Sequence, residues 1–166
     1  PAQPEGLAAP RPPTASPTAS PTTMPALAER AAQVGNIVAV SRPFEDPAPP
    51  ELANGGFDLV TLMFNYHDLG HLGVDRAVMN RAIFRALKSG GIYAIADHSG
   101  RPGTGISESG TLHRVEEALV VQEVQSAGFR LLARGDFLRN PQDPRDRNTP
   151  EPPMPKDEFV LKFVKP

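Results

Sequence analysis

The chain has no cysteine among its 166 residues. That excludes disulfide bonds and thiolate chemistry, and it leaves the redox compartment open. There is also no basic block. Seventeen Lys and Arg stand against 19 Asp and Glu, for a formal net charge of −2. Nucleic-acid surfaces normally cluster Lys and Arg, so no nucleic-acid partner is expected. No apolar run is long enough to span a bilayer, so no membrane role is expected either. No signal-peptide pattern is visible. The first residue is Pro rather than Met, as in a chain that is processed, tagged or cut from something longer. The expectation is a soluble chain, in the cytoplasm or the periplasm.

Proline is plentiful at the start. Residues 1–25 are Pro, Ala, Ser and Thr with almost no large apolar side chains. Such a segment cannot bury enough surface to offset its ordering entropy, so it reads as a disordered, partly polyproline II tail. Residues 26–166 remain, a usual size for one core.

The organising feature is Phe57–His98, FDLVTLMFNYHDLGHLGVDRAVMNRAIFRALKSGGIYAIADH. It reads as a βαβ unit. Phe57–Phe64 is nearly continuous apolar, the pattern of a strand covered on both faces. Asp75 is placed to cap a helix running to Lys88, with Val78, Ala82, Ile83 and Ala86 on one side. Ser89-Gly90-Gly91 stops it, and Gly91–Asp97 is the next buried strand. Before this unit, a helix is expected over Ala26–Val34 and a strand over Asn36–Ser41. After it come a Gly-rich loop, a helix over Thr111–Ala127 capped by Gly128, and a strand over Phe129–Leu138. A proline-rich loop and a final strand, Glu158–Val164, complete the chain, the last antiparallel to its predecessor. Ligands in parallel α/β sheets bind beyond the carboxyl ends of the strands. Both strands of the βαβ unit run into ionisable residues there: Asn65-Tyr66-His67-Asp68 and Asp97-His98-Ser99.

Phe57-Asp58-Leu59-Val60 and Leu87-Lys88-Ser89-Gly90-Gly91, in that order and spacing, resemble the second half of a class I S-adenosylmethionine-dependent methyltransferase. NYHD, DHSGRPGTG, LHRVEEA and FLRNPQDPRD resemble, more narrowly, a little-characterised bacterial group of predicted methyltransferases. The resemblance implies an α/β, Rossmann-like three-layer sheet with sheet order 3-2-1-4-5-7-6 and an antiparallel C-terminal strand. It implies S-adenosylmethionine as cofactor and methyl transfer to a small molecule. The family's Gly-rich loop after its first strand and the acidic residue after its second have no counterpart in this sequence. The chain is therefore expected to be incomplete, carrying strands three to seven and inactive alone. Its exposed strand would be covered by a complementary half, by closure of the Asn36–Ser41 strand onto Phe57–Phe64, or by pairing with itself. A non-catalytic remnant or subunit is the alternative reading.

All four histidines fall after strands or at a helix start. By the resemblance, Asn65-Tyr66-His67-Asp68 occupies the acceptor position where amino-methyltransferases carry Asp/Asn-Pro-Pro-Tyr. His67 or His98 is a candidate general base, with Asp68 or Asp97 as orienter, and Tyr66 a candidate to face the sulfonium. Ser41, Arg42 and Asn65 are the candidate cofactor contacts. Arg101 and His113 are candidates for substrate binding. A metal site is the rival reading: His67 and His71 are four apart, with Asp68 and His98 as further candidate ligands. Leu69-Gly70 argues against a regular helix between them, so the two imidazoles need not converge, and no metal is expected.

Overall fold

The computed structural model describes residues 24–166, and the expected tail lies outside them except at its last two residues. The chain divides into two units between Val40 and Ser41. The first contains helix α1 (Met24–Val34), which starts slightly earlier than the sequence pattern suggests. The strand expected over Asn36–Ser41 is not formed. A strand needs a ladder partner, and the only sheet among the described residues is built from four later strands. Val38 is instead 85% exposed.

The second unit runs β1 (Phe57–Met63), α2 (Asp68–His71), α3 (Arg76–Ala86), β2 (Leu87–His98), α4 (Ser109–Leu112), α5 (Glu117–Ser126), β3 (Arg130–Gly135) and β4 (Glu158–Val164). The sheet order is β1-β2-β4-β3. β1 and β2 are parallel, while β4 is antiparallel to both its neighbours. That is the order 4-5-7-6 of the expected sheet, with β1 as an open edge.

Local chemistry explains the elements. The Asp75 side chain accepts from the Val78 N–H at 2.9 Å and caps α3, a contact usually worth about 1 kcal/mol. Met79, Ala82, Ile83 and Ala86 recur at helical spacing and are buried. The helix ends at Ala86, and Leu87 is already extended. Tyr93 and Ile95 of β2 stand beside Phe163 and Leu161 of β4, and Val60 and Leu62 of β1 stand on the other side. These residues and those of α3 and α5 form one apolar core.

Among the described residues, nothing covers the opposite face of β1. Leu59 is 55% exposed and Met63 39%. The near-continuous apolar run of β1 therefore marks a strand buried on one face only, not on two.

The helix expected over Thr111–Ala127 is broken. α4 ends at Leu112, His113 takes a left-handed φ of 52°, and α5 starts at Glu117. Between them Val115 bridges Ser99 in parallel, its N–H donating to the His98 carbonyl at 3.1 Å. Val115 is fully buried because the sheet captures its backbone, not because it lies on a helix face. Gly100 makes this possible, since a Cβ there would stand 2.9 Å from the Val115 carbonyl carbon.

The long loop after β3 is held by buried charge. Arg114 is wholly buried and pairs with Asp143 at 2.9 Å. It also donates to the carbonyls of Ser99 and Arg147. Asp157, 1% exposed, receives Arg139 and Arg145. No helix among the described residues is long and apolar enough to cross a membrane.

Candidate functional site

β1 and β2 deliver their carboxyl ends side by side, and the segments leaving the two strands meet at one rim. Phe64, at the end of β1, takes a left-handed φ of 58° and stacks on the His98 ring at 5.4 Å. A bulky residue in that region is strained, and such strain gathers at functional sites. The chain then turns into α2, a single helical turn.

Asp97 is fully buried at the end of β2 and organises the rim. Its carboxylate accepts from the backbone N–H of His67 at 2.8 Å and of His98 at 2.7 Å. Its Oδ1 also meets His67 Nδ1 at 2.6 Å. A carboxylate accepts only, so His67 carries its proton on Nδ1 toward Asp97 and turns Nε2 outward. That Nε2 lies 3.2 Å from Asp68 Oδ1.

The same Asp68 oxygen gathers two more rings. His113 Nδ1 is 3.4 Å away and His71 Nε2 is 4.0 Å away. His67 and His113 meet edge to face at 5.6 Å, as do His71 and His113 at 5.8 Å. Burial tends to raise the Asp68 carboxyl, but the His67 charge and the hydrogen bonds from Asn65 and His113 outweigh it and hold the group below its ordinary value.

Ser109 fixes the placement of α2. Its hydroxyl donates to the His67 carbonyl and accepts from the His71 N–H at 2.9 Å. It also meets His71 Nδ1 at 3.0 Å. Gly70 allows this approach, because a Cβ there would lie 2.8 Å from Ser109 Oγ and would collide with the Ile106 side chain.

His98 sits apart from the Asp68 group. Its Nδ1 is 2.9 Å from Glu158 Oε1, out of line for a hydrogen bond. Burial, then the nearby Lys156 charge, depress its pKa to about 4. Glu158 is in turn raised, mainly by burial. Beyond Glu158 opens a cavity of about 480 Å³ lined by Phe137, Arg139, Asn140, Met154 and Lys156.

The structure thus brings His67, Asp68, His71, His98 and His113 to one rim. His67 and His71 both face Asp68, at 3.2 and 4.0 Å, although the sequence did not require it. The Leu69-Gly70 pair does not prevent a helical turn, and Gly70 seats that turn against Ser109. Asn65 lies at the same edge, its Nδ2 donating to Asp68 Oδ2 at 3.3 Å.

Other candidates lie elsewhere. Tyr66 turns into the core and is fully buried, its hydroxyl donating to Glu123 at 2.7 Å and accepting from Asn80 at 3.0 Å. Burial, then the Glu123 charge, push its pKa well up. Such a ring cannot also face a sulfonium at the rim, so the sulfonium role for Tyr66 does not stand. Arg101 is engaged by Glu108, and Arg42 by Asp46. Ser41 is exposed at the start of the second unit.

Sequence reasoning missed Ser109 and Glu158. Glu158 stands opposite His98 in the β2–β4 ladder, a register that only the antiparallel return of β4 creates. Ser109 had no signal beyond its place in the Gly-rich loop.

No family model matches the sequence, and no curated protein matches it. Solved structures do match in fold. A methyltransferase from Aquifex aeolicus, dependent on S-adenosylmethionine, aligns with a TM-score of 0.57 at 17% identity, covering 86% of this chain and 63% of that one. The 4+2 cyclase SpnF aligns with a TM-score of 0.58 at 18% identity, covering 90% of this chain and 64% of that one. A Galdieria sulphuraria protein described as a candidate sarcosine dimethylglycine methyltransferase gives 0.62 at 17% identity, covering 89% and 68%. The chain spans less than two thirds of the length of the first two. At these identities the likeness establishes fold, and a fold hosts more than one chemistry, as the cyclase illustrates. The described domain has the α/β fold of the class I S-adenosylmethionine-dependent methyltransferases, represented by its 4-5-7-6 strands.

Proposed function

We propose that this chain is the acceptor-side half of a methyltransferase-type domain acting on a small molecule. The observation that carries the reading is the position of the histidine rim. It lies at the carboxyl ends of the parallel pair β1/β2, where this class of sheet binds ligands. His67, oriented through Nδ1 by Asp97, is the side chain placed to take a proton from an acceptor group. His98, its pKa depressed mainly by burial, holds a proton less readily than an ordinary imidazole. The neighbouring cavity of about 480 Å³ is of a size that holds a small molecule.

The residues present do not fit S-adenosylmethionine. The family's Gly-rich loop follows its first strand, and the sheet β1-β2-β4-β3 matches strands 4-5-7-6, so no strand among the described residues carries that loop. Asn65 is committed to Asp68 and Arg42 to Asp46. The open edge and bare face of β1 support a complementary half, or a second copy of the chain, that pairs there and brings the cofactor contacts.

Calorimetric titration of S-adenosylmethionine into the isolated chain tests the split. A dissociation constant weaker than about 10 μM, less favourable than roughly −7 kcal/mol, is expected. Tighter binding places a complete cofactor site within this chain and overturns the reading.

A further inference from the structure

We propose that the rim is a divalent-metal site of zinc type, with His67 Nε2, Asp68 Oδ1 and His113 Nδ1 as its ligands and one coordination position open. The donor atoms of these three residues all lie within 4.8 Å of one another. Two separations, 3.2 Å from Asp68 Oδ1 to His67 and 3.4 Å to His113, are those of occupied coordination vertices. Ligand atoms about 2.1 Å from a zinc ion stand about 3.4 Å apart in a tetrahedron.

The groups behind the ligands point the same way independently. Metal-bound histidines hand their other nitrogen to a carboxylate, which fixes the tautomer and raises ligand basicity. Asp97 does this to His67 at 2.6 Å while itself fully buried. With Nδ1 held by Asp97, Nε2 faces the Asp68 carboxylate with a lone pair whenever it carries no proton. Two acceptors facing each other repel unless a cation lies between them, and that cation is a proton or a metal ion. His113 is turned to the same point by a left-handed backbone, φ 52°. The side chains of Asp68 and His113 are 27% and 41% exposed, so an ion has a route in. His71 Nε2, 4.0 Å from Asp68 Oδ1, stands just outside the set, its ring braced against His113.

Two imidazoles and a carboxylate with an open vertex suit Zn²⁺ or a neighbouring first-row divalent ion better than Ca²⁺ or Mg²⁺. An ion on Nε2 excludes a proton there. With metal bound, an acceptor group is activated by the ion instead of by His67. The metal site shares its rim with the methyl-transfer reading but does not depend on it.

The test is Zn²⁺ titration of the chelator-treated chain by calorimetry, with elemental analysis for stoichiometry and Co²⁺ as a visible-absorption probe. The chain has four histidines and no cysteine, so few other strong donors compete. One ion per chain is expected, with Asp68→Asn and His113→Ala each weakening binding at least tenfold and His71→Ala weakening it far less. Asp97→Asn should weaken it by about 10–100-fold. If that buried variant fails to fold, Asp68→Asn at the half-exposed rim decides. Absence of stoichiometric Zn²⁺ binding, or affinity unchanged in Asp68→Asn and His113→Ala, overturns the assignment. Failure of S-adenosylmethionine binding has no bearing on this result, so the two readings fail separately.

Discussion

Replacing Arg114 by Met isolates the buried charge that holds the long loop against the end of β2. Arg114 is wholly buried and donates to Asp143, to the Ser99 carbonyl and to the Arg147 carbonyl. Methionine fills much of the volume but supplies no donor. Asp143, only 5% exposed, then loses its cation but keeps the backbone N–H groups of Asp157 at 2.7 Å and Arg145 at 3.0 Å. Breaking a buried pair costs about 3–5 kcal/mol. The two surviving donors place the expected cost near the lower end, about 3 kcal/mol. That is a large share of the roughly 5–15 kcal/mol typical of a domain. Urea unfolding followed by circular dichroism reads it directly. With a slope of roughly 1–3 kcal/mol/M, the midpoint should fall by about 1–3 M. Arg114→Met combined with Asp143→Asn should recover part of the loss, because no unpaired charge stays buried and the amide oxygen still accepts from one of the two backbone N–H groups. A single-variant loss below about 1 kcal/mol would show that the pair behaves as a solvated surface contact and refute the reasoning.

Because the folded-state pKa of His98 lies near 4, below its ordinary 6.5, the unfolded chain binds more protons between those values. Stability should therefore rise from about pH 4 to pH 6.5 and level off above. Glu158, raised by burial, acts in the opposite sense just above 4.5. His98→Gln should flatten the rise in a series of thermal midpoints, and an unchanged profile would show that His98 is not its source. Gly70→Ala should cost about 1–3 kcal/mol by overpacking, and NMR should show His71 and Ser109 displaced; a neutral substitution would mean α2 is not seated as described. Tyr66→Phe should lose about 1 kcal/mol, since Glu123 keeps Arg76, while amide shifts at His67 and His113 stay put. Leu59→Lys on the bare face of β1 should reduce any self-association seen by sedimentation without lowering the urea midpoint. A drop in stability would mean that Leu59 is covered in the folded chain.

The βαβ core was legible because its periods are strong. The Ala82, Ile83 and Ala86 part of the α3 stripe and the apolar runs of β1, β2 and β4 arise from local pattern, and the strands set the rim where His67 and His98 stand. What pattern cannot carry is contact between distant segments. Val115 reads as a helix-face residue until the sheet captures its backbone. The one-turn helix Asp68–His71 is too short to have a period, so the inward Tyr66 before it and the outward His71 at its end were not separable. The Phe57–Met63 run shows hydrophobicity but not which face is covered. Glu158 faces His98 only through the register of an antiparallel partner sixty residues later in the chain.

The methyl-transfer reading requires that ligands of the fold meet the chain at the carboxyl ends of β1 and β2. Amide shifts in ¹H–¹⁵N NMR spectra of the isolated chain, recorded with millimolar S-adenosylmethionine, probe that placement residue by residue. Weak binding is expected, with changes concentrated at Phe64–Asp68 and Asp97–Ser99. Changes confined to α5, away from the rim and its neighbouring cavity, would show the placement to be wrong.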